Sequence, residues 1–98
     1  LLAAKEIYRL LQIPAFIKRD TFAEGEAEAL EFAVTDATEH LHERLMDIKL
    51  KPGILIVCIN HMGRIIIPGG QDTLASGDTV VIVTTAGRDI LDLNDIFA

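Results

Sequence analysis

Residues 54–85 read "ILIVCINHMGRIIIPGGQDTLASGDTVVIVTT", and the fold turns on how this stretch is divided. Its first six residues, Ile54 to Ile59, are apolar on both faces of an extended chain, which suits a strand that is interior or covered by a partner. Asn60, His61, Met62 and Gly63 make a short loop in which Gly63 is free to take a positive φ. Arg64 to Pro68 returns as the paired strand, and Pro68 suits its end because it donates no ladder hydrogen bond. Gly69 and Gly70 turn the chain, Leu74 drops back into the core, and Ser76-Gly77-Asp78 makes the next turn. Thr79 to Thr85 is the last strand.

Upstream, residues 28–35 alternate. Leu30, Phe32 and Val34 share one face, while Ala29, Glu31 and Ala33 share the other, the pattern of a half-buried strand. Residues 15–21 precede it as the other arm of an antiparallel hairpin, with its turn at Glu24-Gly25. Asp36 followed by Glu39 is a capping signal. Ala37, Leu41, Leu45 and Ile48 continue it at helical spacing, predicting a helix over 37–48 that Pro52-Gly53 separates from the next strand. Residues 1–12 carry Leu2, Ala3, Ile7, Leu10 and Leu11 near a helical period, and Pro14 ends them. Residues 1–14 are therefore expected to be a connecting helix from an upstream domain, and 15–98 the domain proper. Leu1 standing in place of an initiator methionine fits an excised domain. After Gly87 and Arg88, the spacing of Ile90, Leu93 and Phe97 predicts a short terminal helix. The order α-β-β-α-β-β-β-α has no alternating β-α units, and it implies an α+β fold: an antiparallel or mixed sheet with helices on one face.

Composition narrows the function. The 98 residues suffice for one domain. Half of them are hydrophobic before the seven glycines are counted, above the roughly 45–50% apolar share of soluble domains with glycine included. That excess predicts a surface shared with a second copy. Nine basic residues against fifteen acidic ones give a net charge of −6, which repels phosphate backbones and anionic lipid. With no tryptophan and one tyrosine there is no platform for stacking bases. The longest aliphatic run is far short of the roughly 20 residues of a membrane-spanning helix. A single cysteine fits a reducing, cytoplasmic setting.

Catalytic and metal-binding constellations are weak. His40 and His42, two apart on the expected helix, do not converge on one metal. Cys58 and His61 form a C-x-x-H, but zinc needs three or four ligands, so they read as a buried thiol and a loop histidine. Asp47, Asp72 and Asp78 have ordinary uses at a helix end, in a loop and in a turn. Ser76 is the only serine, and its turn explains it. Gly69-Gly70 reads as a tight turn, since no helix follows to supply a phosphate-binding dipole. No catalytic residue and no metal ligand is assigned, and the chain reads as a non-enzyme. Lys49 and Arg64 remain as charges of interest.

The ordered set is more specific than its parts. "AEALEF", the capped segment, "GILIVCINHMGRIIIPGGQDTLASGDTVVIVT" and "LNDIF" together, over residues 17–97, resemble the TrkA-C (RCK-C) domain of bacterial potassium-transport regulators. The resemblance implies a homodimeric, cytoplasmic regulatory domain. It would lie behind a Rossmann-type half that binds NAD or ATP, in a ring under a membrane-embedded potassium channel or transporter. No Gly-x-Gly-x-x-Gly occurs here, so neither NAD nor ATP is assigned to this chain. Some members bind cyclic di-AMP where two copies meet. On their pattern, the ligand-binding residues in this sequence would be Asp47, Lys49, Gly53, Ile56, Val57, His61 and Pro68. Two positions depart from it. Leu55 stands where a hydroxyl or amide would read a base, and His61 replaces an arginine that would hold a phosphate. Both count against cyclic di-AMP. If the helix over 37–48 packs on the strand 54–59 in a dimer, Lys49 and His61 border the shared cleft. A structural assembly domain with no ligand is the alternative.

Overall fold

Among the described residues, five strands form one antiparallel sheet: β1 (Ile17–Phe22), β2 (Ala27–Ala33), β3 (Ile54–His61), β4 (Arg64–Ile66) and β5 (Thr79–Thr85). The computed structural model describes residues 17–22, 27–85 and 89–98. The expected helix over 1–12, the connecting segment 1–14, the turn at Glu24-Gly25 and the lead-in at Gly87-Arg88 lie outside them. The strands lie in the order β1-β2-β5-β3-β4. β5 is therefore central, and Val80, Val81 and Ile82 on it are wholly buried.

Register explains the core. Leu30, Ile82 and Ile56 are cross-strand neighbours on β2, β5 and β3, as are Phe32, Val80 and Ile59. All six, with Val34 and Ile54, join one hydrophobic cluster. Loops close over that face, contributing Ile48, Leu74, Ile90, Leu93, Ile96 and Phe97. β2 departs from the half-buried expectation, because Glu28 through Phe32 are all buried. β3 carries a bulge between Ile56 and Cys58, which skips Val57 and sets Cys58 opposite Val81. An extra residue of this kind kinks a strand and re-aims its side chains.

Two of the expected helices need correction, because no α-helix occurs among the described residues. The stretch predicted as a helix over 37–48 is a series of turns ending in a 3₁₀ turn, Leu45–Asp47. His40 and His42 take φ of 61° and 63°, which no right-handed helix tolerates. The N–H groups of His42, Leu45 and Met46 donate to the carbonyls of Leu74, Asp72 and Gly70. Distant loop carbonyls thus replace the carbonyls four residues back. At the expected capping signal the Thr38 hydroxyl accepts from the Thr35 N–H, and the Glu39 N–H donates to Asn94 Oδ1.

The terminal helix is likewise a single 3₁₀ turn, Leu93–Ile96. Asp92 caps it by accepting from the Asn94 N–H, and Asp95 accepts from the N–H groups of Leu91 and Asp92. Asn94 clasps this turn to the preceding loop. Its Oδ1 accepts from Glu39 N–H at 2.8 Å and its Nδ2 donates to Ala37 C=O at 3.1 Å.

Candidate functional site

Two hollows between them hold three of the residues singled out from the pattern. The first is an apolar groove of about 230 Å³ lined by Leu45, Met46, Ile48, Leu50, Leu55, Ile56, Pro68, Gly69 and Gly70. The turn after β4 forms one wall. There the Gly69 carbonyl accepts from Asp72 N–H, and Asp72 Oδ2 accepts from Gly69 N–H at 2.6 Å. A β-carbon on Gly70 would come within 3.2 Å of Met46 Cβ, so the absence of a side chain lets the 3₁₀ turn close against it. Leu55 and Met46 are largely exposed along this groove, at 62% and 59%. Strand alternation ahead of the bulge faces Ile56 to the core and leaves Leu55 on the solvent side.

The second hollow, about 440 Å³, lies at the hairpin end of the sheet. It is lined by Ile59, His61, Arg64, Ile66, Ile67, Asp72, Thr73, Ala75 and Asp78. β3 and β4 join through Met62 and Gly63, both at positive φ, as the two-residue hairpin turn requires. Asp78 is 3% exposed and fully used. Its Oδ2 accepts from Ala75 N–H at 3.0 Å, and its Oδ1 lies 2.5 Å from His61 Nδ1. That contact places the proton on Nδ1 and leaves Nε2 as the outward nitrogen. The β3–β5 ladder explains the pairing. Asn60 lies opposite Thr79, so the next step brings His61 beside Asp78.

The residues drawn from the pattern are therefore divided. Ile56 and Pro68 meet in the apolar groove. His61 belongs to the hairpin hollow. Val57 is the half-buried bulge residue and lines neither hollow. Asp47 and Lys49 are exposed on the strip whose alternate residues, Ile48 and Leu50, line the groove. Asp47 is engaged by Arg44 Nε at 2.9 Å, an exposed pair of the kind worth about 0–1 kcal/mol. Gly53 takes a φ of 81° at the entry to β3. His40 stacks edge-on against Phe97 and contacts Glu43, away from both hollows. Cys58 is buried, and that burial pushes its thiol pKa up, which makes it a poor nucleophile. The sequence reading missed Asp78 as a partner for His61, because seventeen residues separate them and only the strand register joins them.

A sequence profile of the TrkA-C domain matches residues 29–97, from within β2 to the last turn. The chain belongs to the TrkA-C domain family. It is 34% identical over 94 residues to a Trk system potassium uptake protein TrkA homolog of Archaeoglobus fulgidus, across 96% of this chain and 21% of the relative. To the Trk system potassium uptake protein TrkA homolog 2 of Methanosarcina mazei it is 31% identical over 94 residues, with the same two coverages. This TrkA-C chain thus spans about a fifth of the length of the curated relatives it matches. Among its described residues, no helix is long and apolar enough to cross a membrane.

Proposed function

We propose that this TrkA-C chain is a non-catalytic regulatory domain of a potassium-uptake system, acting on the cytoplasmic side of the membrane beside a transporter subunit. Relatives named as Trk potassium uptake proteins support the system. The apolar groove carries the mechanism. A wall bearing exposed Leu55 and Met46 beside Pro68 suits a second copy of the chain. An effector lodged at that seam would act through its difference in affinity between two pairing geometries.

Light scattering and sedimentation at micromolar concentration test the pairing. A dimer is expected, and Leu55→Asp should return it to monomer, because a buried carboxylate without a partner is costly. A wild-type chain that stays monomeric sinks the reading. An assembly domain without a ligand is the second reading, favoured by a groove lined by apolar side chains and glycines. His61, which would face a phosphate, is already tied to Asp78. Calorimetric titration with cyclic di-AMP separates the two: saturable heat at one per dimer supports sensing, and silence supports the scaffold.

A further inference from the structure

We propose that the hollow at the β3–β4 hairpin is a binding site for a small zwitterion with an aliphatic side chain, an α-amino acid by chemical class. Its charges point that way. Asp78 is satisfied within the protein by His61 and the Ala75 N–H. What remains is one cation and one anion. The Arg64 side chain, exposed at this hollow, has no hydrogen-bond or ion-pair partner among the described residues, and its guanidinium offers a bidentate fit for a carboxylate. Asp72 uses Oδ2 to accept from Gly69 N–H, leaving Oδ1 as an acceptor for an ammonium group. A phosphate dianion would meet two aspartates lining the same walls, and a simple cation would meet Arg64. A molecule carrying both charges meets neither penalty. Ile59, Ile66, Ile67 and Ala75, which line the same hollow, provide apolar surface for a branched side chain. The volume of about 440 Å³ lies within the usual range of small-molecule pockets, roughly 300–1,000 Å³. The hollow is built from one copy of the chain, so this site stands whether or not the groove pairs two copies.

The test is amide NMR titration of the 98-residue chain with L-leucine, beside three probes: leucinamide, 4-methylpentanoate and inorganic phosphate. Saturable shifts confined to β3, β4 and residues 72–78 are expected with L-leucine. Leucinamide and 4-methylpentanoate each lack one pole and should bind at least about tenfold more weakly, the cost of one charge-assisted hydrogen bond. Arg64→Gln and Asp72→Asn should each weaken L-leucine by a similar factor, and the asparagine keeps an acceptor for Gly69 N–H. Arg64 is exposed and unpaired among the described residues, so its variant will fold even if the change at Asp72 disturbs the turn. The proposal is overturned by no saturable shift with L-leucine up to roughly 10 mM. Equal binding of 4-methylpentanoate, tighter binding of phosphate, or indifference to Arg64→Gln overturns it as well.

Discussion

Met62 holds a φ of 51° beside Gly63 at 82°, and its side chain is 90% exposed. A methionine has a β-carbon that crowds its own carbonyl in this region, at a cost of about 1–2 kcal/mol, whereas asparagine tolerates it. Met62→Asn should therefore raise stability by about 1 kcal/mol, seen as a melting temperature higher by roughly 4–8 °C. No rise would mean that the turn is strained for another reason. Asp95 gives a second test at this scale. Hydrogen bonds from the Leu91 and Asp92 N–H groups, with Lys51 adding a weaker attraction, hold its carboxyl below the ordinary value of 3.8. The folded state thus stays ionised at pH values where the unfolded chain has taken up a proton. The stabilisation is complete above 3.8 and is lost as pH falls through the lower folded value. Asp95→Asn should flatten the acid limb of a stability profile below that pH and leave the neutral region parallel to wild type. Some of this detail was legible in residue types. The glycine at position 63 announced a positive φ, but nothing in a lone methionine did. The contact of His61 with Asp78 required a register that residue types do not carry.

The stretch 37–48 shows how an element is misread. Leu41, Leu45 and Ile48 do turn toward the core, as their spacing predicts, whereas Ala37, the first residue of the same stripe, is exposed. Periodicity reports which residues are buried, however, and a winding loop can satisfy it as well as a helix does. The decision was made elsewhere, by carbonyls of Leu74, Asp72 and Gly70 that lie within reach of this backbone. A helix would have had to supply its own bonds and could not have used them. Position 42 separates the two conformations. In a helix interior glycine is worse than valine, by a few tenths of a kcal/mol on propensity scales. At a φ of 63° the order reverses, because valine is β-branched and glycine has no β-carbon. His42→Gly should leave the melting temperature near that of wild type, and His42→Val should lower it by several degrees. The opposite ranking in thermal melts would restore the helix. The strands fared better. β5 ran from Thr79 to Thr85 as read, and the β3–β4 hairpin closed at Met62-Gly63. Their β-branched runs and turn residues are local signals that mark strands and the β3–β4 turn, whereas the placing of β5 between β2 and β3 is not a local matter.

For the whole molecule, the relation between its apolar groove and its net charge of −6 sets the terms of any pairing. The groove beside β3 offers apolar contacts, and the ion pair of Arg44 with Asp47, next to its lining residues Leu45 and Met46, is closed within the same copy. Two copies meeting there would gain from burial of Leu55, Met46 and Pro68, which salt hardly weakens. They would also bring two acidic bodies together, and that repulsion acts through solvent and is screened. Raising ionic strength from about 0.01 M to 0.15 M shortens the screening length from roughly 30 Å to 8 Å. The dimer should therefore tighten as salt is added, by a factor that levels off once the screening length is shorter than the distance between the charged faces. A seam made of intermolecular ion pairs behaves in the opposite way, loosening over the same range. Sedimentation equilibrium at a series of sodium chloride concentrations distinguishes them by the sign of the slope. A dimer constant that weakens with salt would move the interface off the Leu55 groove and onto charged surface, leaving the groove for some other occupant.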